Sequence, residues 1–166
     1  MISELISIDD NTIILRTIPI RRFAKNILTF IIGIGILLPI AFTVIISRED
    51  GAVPPGIIFS FLIFWGVSYY MFRMLSWNSS GYESITITQD TITLVPKSKH
   101  FTFSSQSIEA KGAMYSIAPY RHRKVNGMEV QTGTLVITSK DTSITSSVEL
   151  PTEDLNKLLK SFSFSE

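Results

Sequence analysis

The sequence predicts an α+β membrane chain: a two-helix transmembrane hairpin joined to an antiparallel β domain that one C-terminal helix caps. Three observations predict it. Two runs without a charged side chain stand close together, ILTFIIGIGILLPIAFTVII at 27–46 and GIIFSFLIFWGVSYYMF at 56–72. From residue 83 the hydrophobic pattern switches to period two, the mark of strands with one buried face. PTEDLNKLLKSF then closes the patterned region with apolar residues at helical spacing. The expected organisation is an N-terminal β-hairpin in 1–22, a membrane hairpin in 23–75 with spans 27–46 and 56–75, and a β domain in 76–166 ending in helix 152–162.

The N-terminal segment ELISIDDNTIILR (4–16) matches ESITITQDTITLV (83–95) at Glu, Ile, Ile, Thr, Ile and Leu. Both read as amphipathic β-hairpins. An isolated hairpin is barely stable in water, so the first is expected to dock on the C-terminal sheet and to bury Ile6, Ile8, Ile13 and Leu15.

In the first apolar run only Thr29 and Thr43 are polar. A helix of about 20 residues covers roughly 30 Å, the hydrocarbon thickness of a bilayer. The second run reaches that length at Leu75 if Arg73 snorkels to the headgroups. The remaining polar-patterned chain is too short to enclose two such helices as a soluble core. A cleaved signal peptide also fits poorly, because its apolar region would be too long and no A-x-A-like site follows. Pro39 would break a soluble helix and is tolerated in membrane helices. Between the runs, SREDGAVPPG (47–56) supplies the turn formers, with Pro55 suited to a first helical position. Arg16, Arg21, Arg22 and Lys25 precede the first run, whereas the tip carries Arg48 against Glu49 and Asp50. The positive-inside rule then places both termini in the cytoplasm of a multi-pass inner-membrane protein. Arg21, Arg22, Lys25, Arg73 and Trp77 are the expected interface anchors, with Tyr69 and Tyr70 in the same aromatic belt.

Beyond 83–95, strands are expected at 101–105, 113–118, 133–140 and 143–150, with turns at Pro96, Gly112, Asn126-Gly127 and Lys140-Asp141. In the last element Thr152 is the expected N-cap, Glu153 and Asp154 suit the positive helix start, and Leu155, Leu158, Leu159 and Phe162 form one stripe.

This layout, with GYESITITQDTITL opening the β domain and VELPTEDLNKLLKSF closing it, resembles the bacterial membrane-tethered pleckstrin-homology-like (PH-like) proteins. The resemblance implies a half-barrel of antiparallel strands capped by a helix, and binding or scaffolding at a membrane. It implies no catalytic residues. The basic phosphoinositide loop of some eukaryotic relatives has no counterpart at the Gln89-Asp90 corner.

Nothing in the residues adds a reaction. His100 and His122 stand without ligand spacing, and neither a nucleophile elbow nor a glycine-rich phosphate loop is present. Net charge is +1 and cysteine is absent, so bulk electrostatics imply no nucleic-acid partner and thiolate chemistry is excluded. No cofactor is expected. The densest charge cluster is Tyr120-Arg121-His122-Arg123-Lys124, read as a hairpin loop in which Arg121, Arg123 and Lys124 contact anionic lipid, or as a merely solvated loop. Thr29 and Gly33 form a small-xxx-small pair that suits a homo-oligomer. The expected function is a non-enzymatic membrane protein whose cytoplasmic domain binds a protein or lipid. The alternative is an oligomeric subunit of a transport or channel assembly; a uniformly apolar hairpin disfavours a self-made pore, and the lack of an ionisable residue mid-span argues against a proton- or ion-coupled transporter.

Overall fold

A computed structural model describes residues 4–9, 11–50, 55–125 and 128–162. Among them are three helices and two antiparallel sheets, in the order β1 (Ile6–Asp9), β2 (Thr12–Arg16), α1 (Arg22–Asp50), α2 (Pro55–Ser80), β3 (Tyr82–Ile87), β4 (Thr91–Lys97), β5 (Gln106–Glu109), β6 (Met114–Val125), β7 (Met128–Ser139), β8 (Thr142–Thr145), β9 (Leu150–Pro151) and α3 (Thr152–Phe162). The chain forms two compact units, Met1–Pro19 with Ser80–Glu166, and Ile20–Ser79.

In the first unit, sheet A runs β1-β2-β3-β4-β5. Its first two hairpins share one register: Ile6 faces Leu15 and Ile8 faces Ile13, as Ile85 faces Leu94 and Ile87 faces Ile92. β2 pairs with β3 from Thr12–Thr86 to Arg16–Tyr82, and the Thr17 amide continues the pairing to the Gly81 carbonyl. Two antiparallel neighbours are ordinarily joined by a short turn; here the β2–β3 connection is the whole α1–α2 hairpin. Ile6, Ile13, Leu15, Ile85, Ile92 and Leu94 are buried, whereas Ile8 is 44% exposed. The expectation that Ile8 would be buried is therefore corrected, although Ile6 on the same edge strand is covered.

β4 runs through Pro96, a correction to the turn expected there. The Pro96 carbonyl accepts from the Phe103 amide, so its ring nitrogen also points away from β3 and the missing donor leaves the β3–β4 ladder intact. The expected strand at 101–105 is reduced to a bridge between Lys97 and Thr102. Ser98 and Phe101 close a tight turn there, and the next strand begins at Gln106.

Sheet B runs β6-β7-β8, with β9 also on β7. β8 opposes Val136–Ser139 and β9 opposes Thr132–Gly133 on β7. The Ser146 amide still donates to the Leu135 carbonyl at 2.8 Å, and Ser147–Glu149 then leave the ladder between two pieces of what is otherwise one edge. β6 is bulged between Pro119 and Arg121. A Cβ on Gly133 would lie 2.8 Å from Ile117 Cγ2 and 2.9 Å from the Ala118 carbonyl oxygen, so the bulge closes down on a position that only glycine fits.

α3 lies against β6, β7 and β9 and buries Leu155 and Leu158. Its first turn carries Glu153 and Asp154, which suit the helix dipole. Thr152 is helical, and its hydroxyl donates to the Gln131 carbonyl at 3.1 Å rather than capping the helix, a correction to the expected N-cap. The Phe162 side chain and the Asn126-Gly127 turn lie outside the described residues.

In the second unit, α1 and α2 are antiparallel. The Ile20 amide donates to the Asn78 carbonyl at 3.1 Å, and Trp65 Nε1 to the Ile36 carbonyl at 3.4 Å. The close approach is at Gly35, where a Cβ would lie 2.2 Å from Ser68 Oγ. Gly33, by contrast, faces open space, so the Thr29–Gly33 pair does not make the contact between these two helices. Hydroxyls along both helices bond to their own backbones: Thr29 to the Lys25 carbonyl, Thr43 to Pro39 and Ser60 to Ile57, at 2.7–2.9 Å. Both helices are long and apolar enough to cross a membrane, and only 11% of each apolar window is buried. Phe30, Leu37, Phe59 and Leu62 all point outward and are well exposed.

Candidate functional site: a buried carboxylate and a basic ribbon

Glu83 opens β3 in phase with Ile85 and Ile87, so strand alternation turns its carboxylate inward. It is fully buried, between Leu15 on β2 and Pro96 on β4 in the register of sheet A. Its oxygens reach the segment where sheet B is interrupted. Ser146 Oγ donates to Oε2, and the Ser147 amide donates to Oε1 at 2.7 Å. Ser146 Oγ in turn accepts from the Val148 amide at 3.0 Å. The carboxylate thus satisfies donors that lost their strand partners at the break, and pins sheet A to sheet B. Burial pushes the Glu83 carboxyl above its ordinary value, and the hydrogen bonds from Ser146, Ser147 and Val148 pull the other way without cancelling it. No cation is among these influences. The arrangement is a structural bracket; it offers no route for substrate to a fully buried oxygen.

The second feature is the outer end of β6 and β7. The Tyr120–Lys124 cluster is strand, which corrects the loop reading. β7 pairs with β8 and β9 only from Thr132 onward, so Arg121–Val125 and Met128–Gln131 form a two-stranded ribbon beyond the rest of the sheet. Alternation splits the cations between faces. Arg121 makes a two-point contact with Glu149, Nε to Oε2 at 3.2 Å and NH2 to Oε1 at 3.0 Å, and lies 5.2 Å from the Tyr120 ring centre. Lys124 stands opposite Glu129, and His122 opposite Gln131. Of the three proposed lipid contacts, Arg121 is therefore engaged by a carboxylate, Arg123 is half-buried and Lys124 is exposed. An exposed ion pair of this kind contributes at most about 1 kcal/mol.

The interface residues fall on the second unit. Arg21 precedes α1, Arg22 and Lys25 lie in its first turns, and Arg73 and Trp77 lie in the last turns of α2. The two cationic stretches share one end of the hairpin. Sequence reasoning missed Glu83 as an inward carboxylate, although ESITI carries the signal, because Glu stands at the position that alternation reserves for an apolar residue. Among the described residues no group of His, Cys, Asp and Glu could hold a metal ion. Compared with models of known families and with curated proteins, the chain matches none.

Proposed function

We propose that this chain is a non-enzymatic integral membrane protein in which α1 and α2 cross the inner membrane and the β unit is a cytoplasmic binding or scaffold domain. The observation that carries the reading is the outward-facing apolar surface of both helices. Phe30, Leu37, Phe59 and Leu62 are each 64–69% exposed, a surface far more apolar than water tolerates, while the Thr29, Thr43 and Ser60 hydroxyls are turned back on their own backbones, which suits lipid. Two antiparallel sheets closed by a C-terminal helix support a PH-like reading of the β unit. The β6–β7 ribbon, with Tyr120, His122 and Lys124 exposed, is the surface we assign to its protein or lipid partner. Because the α1–α2 hairpin replaces a turn between paired strands, the β unit is tied to the bilayer at two points of one sheet.

Fractionation tests the first step. The full chain is expected to stay in the membrane pellet through alkaline carbonate and high salt, and to leave it only with detergent. Release by carbonate would contradict the proposal.

A further inference from the structure

Alongside the Gly35–Ser68 contact, α1 and α2 leave an apolar groove of about 480 Å³ lined by Ile32, Ile36, Trp65, Ser68, Tyr69 and Phe72. The bonds from Ile20 to Asn78 and from Trp65 to Ile36 fix the register of the two helices. That register sets Lys25 level with the turn containing Arg73. Lys25, Thr29, Ile32 and Ile36 follow one helical stripe at i, i+4, i+7 and i+11, so Lys25 stands at the mouth of the groove. Arg73 is one turn beyond Tyr69 and next to Phe72, on the opposite wall. Both side chains are exposed. Arg21 and Arg22 lie at the same end, and no carboxylate lies in α1 before Glu49 or anywhere in α2.

We propose that this groove holds one acyl chain of an anionic phospholipid whose phosphate sits between Lys25 and Arg73. The inference rests on the membrane reading above. The walls offer a chain little that is polar: the Ser68 hydroxyl is buried at the helix contact, the Trp65 N–H is turned to the Ile36 carbonyl, and the remaining polar group is the Tyr69 hydroxyl, one turn from Arg73. Among the described residues of α1 and α2, the charged side chains at this end are all cations. A zwitterionic lipid would fill the groove equally well and would carry no net charge for the two cations to attract. A second copy of the hairpin would bring its own Lys25 and Arg73 against the same pair. Charge complementarity therefore selects an anionic lipid.

Native mass spectrometry of the full chain tests this, after extraction from membranes in neutral detergent and titration with phosphatidylglycerol or phosphatidylcholine. The expected result is a single phosphatidylglycerol adduct retained about tenfold better than phosphatidylcholine, with the preference lost in Lys25→Gln/Arg73→Gln. Circular dichroism of that variant should match the parent, so that loss of preference is not loss of fold. Equal retention of the two lipids, or a preference unchanged in the variant, overturns the site while a carbonate-resistant protein keeps the membrane reading. A preference that follows Arg21→Gln/Arg22→Gln instead also overturns it, because the headgroup would then lie away from the groove. A chain released by carbonate defeats the membrane reading itself, and the lipid site with it.

Discussion

Replacing Glu83 by Ala is expected to lower the unfolding free energy of the β unit by about 3 kcal/mol, the sum of a small core cavity and buried donors left without an acceptor. Proteolysis of the full chain in micelles over a urea series reads the loss. Glu83→Gln is expected to be far milder. Its carbonyl can still accept from the Ser147 amide, and its NH2 group can donate to Ser146 Oγ, which is free to turn its own proton toward the Val148 carbonyl 3.4 Å away. The pH dependence separates the two substitutions further. The folded pKa of Glu83 lies above the ordinary value of 4.5, so the folded protein binds this proton more tightly than the unfolded chain. That contribution is fully present below the unfolded pKa and is lost as pH rises through the folded one. The parent should therefore lose stability from this group as pH rises above about 4.5, and Glu83→Gln, neutral throughout, should lack that component. A Glu83→Ala protein as stable as the parent would contradict the bracket.

Deleting residues 1–18 is expected to have the other large effect. It removes Ile6, Ile13 and Leu15 from the core, uncovers the β3 edge, and leaves Glu83 without the Leu15 wall. Burying each such side chain contributes roughly 2 kcal/mol, so together they approach the whole stability of a small domain. The truncated protein should be cut by protease within the β unit under conditions that leave the full chain intact, with the α1–α2 hairpin still in the membrane pellet. Equal resistance of the two proteins would show that β1 and β2 are not part of the folded unit.

The parts that were legible in the sequence are those where one periodicity acts alone. Uniformly apolar runs located α1 and α2, and α3 followed from the acidic Glu153 and Asp154 at its start and from the Leu155, Leu158, Leu159 stripe. Period two located most strands, and the Pro55 start of α2 followed from proline's preset φ. What was not legible depends on partners distant in the chain. The 101–105 strand failed because Ser98 and Phe101 close a turn through a side-chain bond that alternation does not register. Tyr120–Lys124 reads as a loop because its side chains are polar on both faces, one of which carries the Arg121–Glu149 pair and the half-buried Arg123. The exposure of Ile8 was not legible because alternation gives it the same phase as the buried Ile6, and the close approach at Gly35 was not legible because the meeting face is set by both helices at once. Glu83 was the clearest signal left unused: a carboxylate in an apolar phase requires a buried acceptor's partners, and those lie in the Ser146–Val148 break.

In the proposed topology, a helical hairpin inserted between β2 and β3 ties one sheet to the bilayer, with the β unit inside the cell. The chain has no cysteine, so single-thiol variants carry no background. Ser146 is buried at 2% exposure and holds Glu83, so the reporter in the β unit is the exposed Ser143 of β8. The other reporter is Ala52, in the tip segment between α1 and α2. A membrane-impermeant maleimide added to intact cells should label Ala52→Cys and spare Ser143→Cys, and lysis should make Ser143→Cys reactive. Labelling of Ser143→Cys but not Ala52→Cys in intact cells would place the β unit outside and contradict the account.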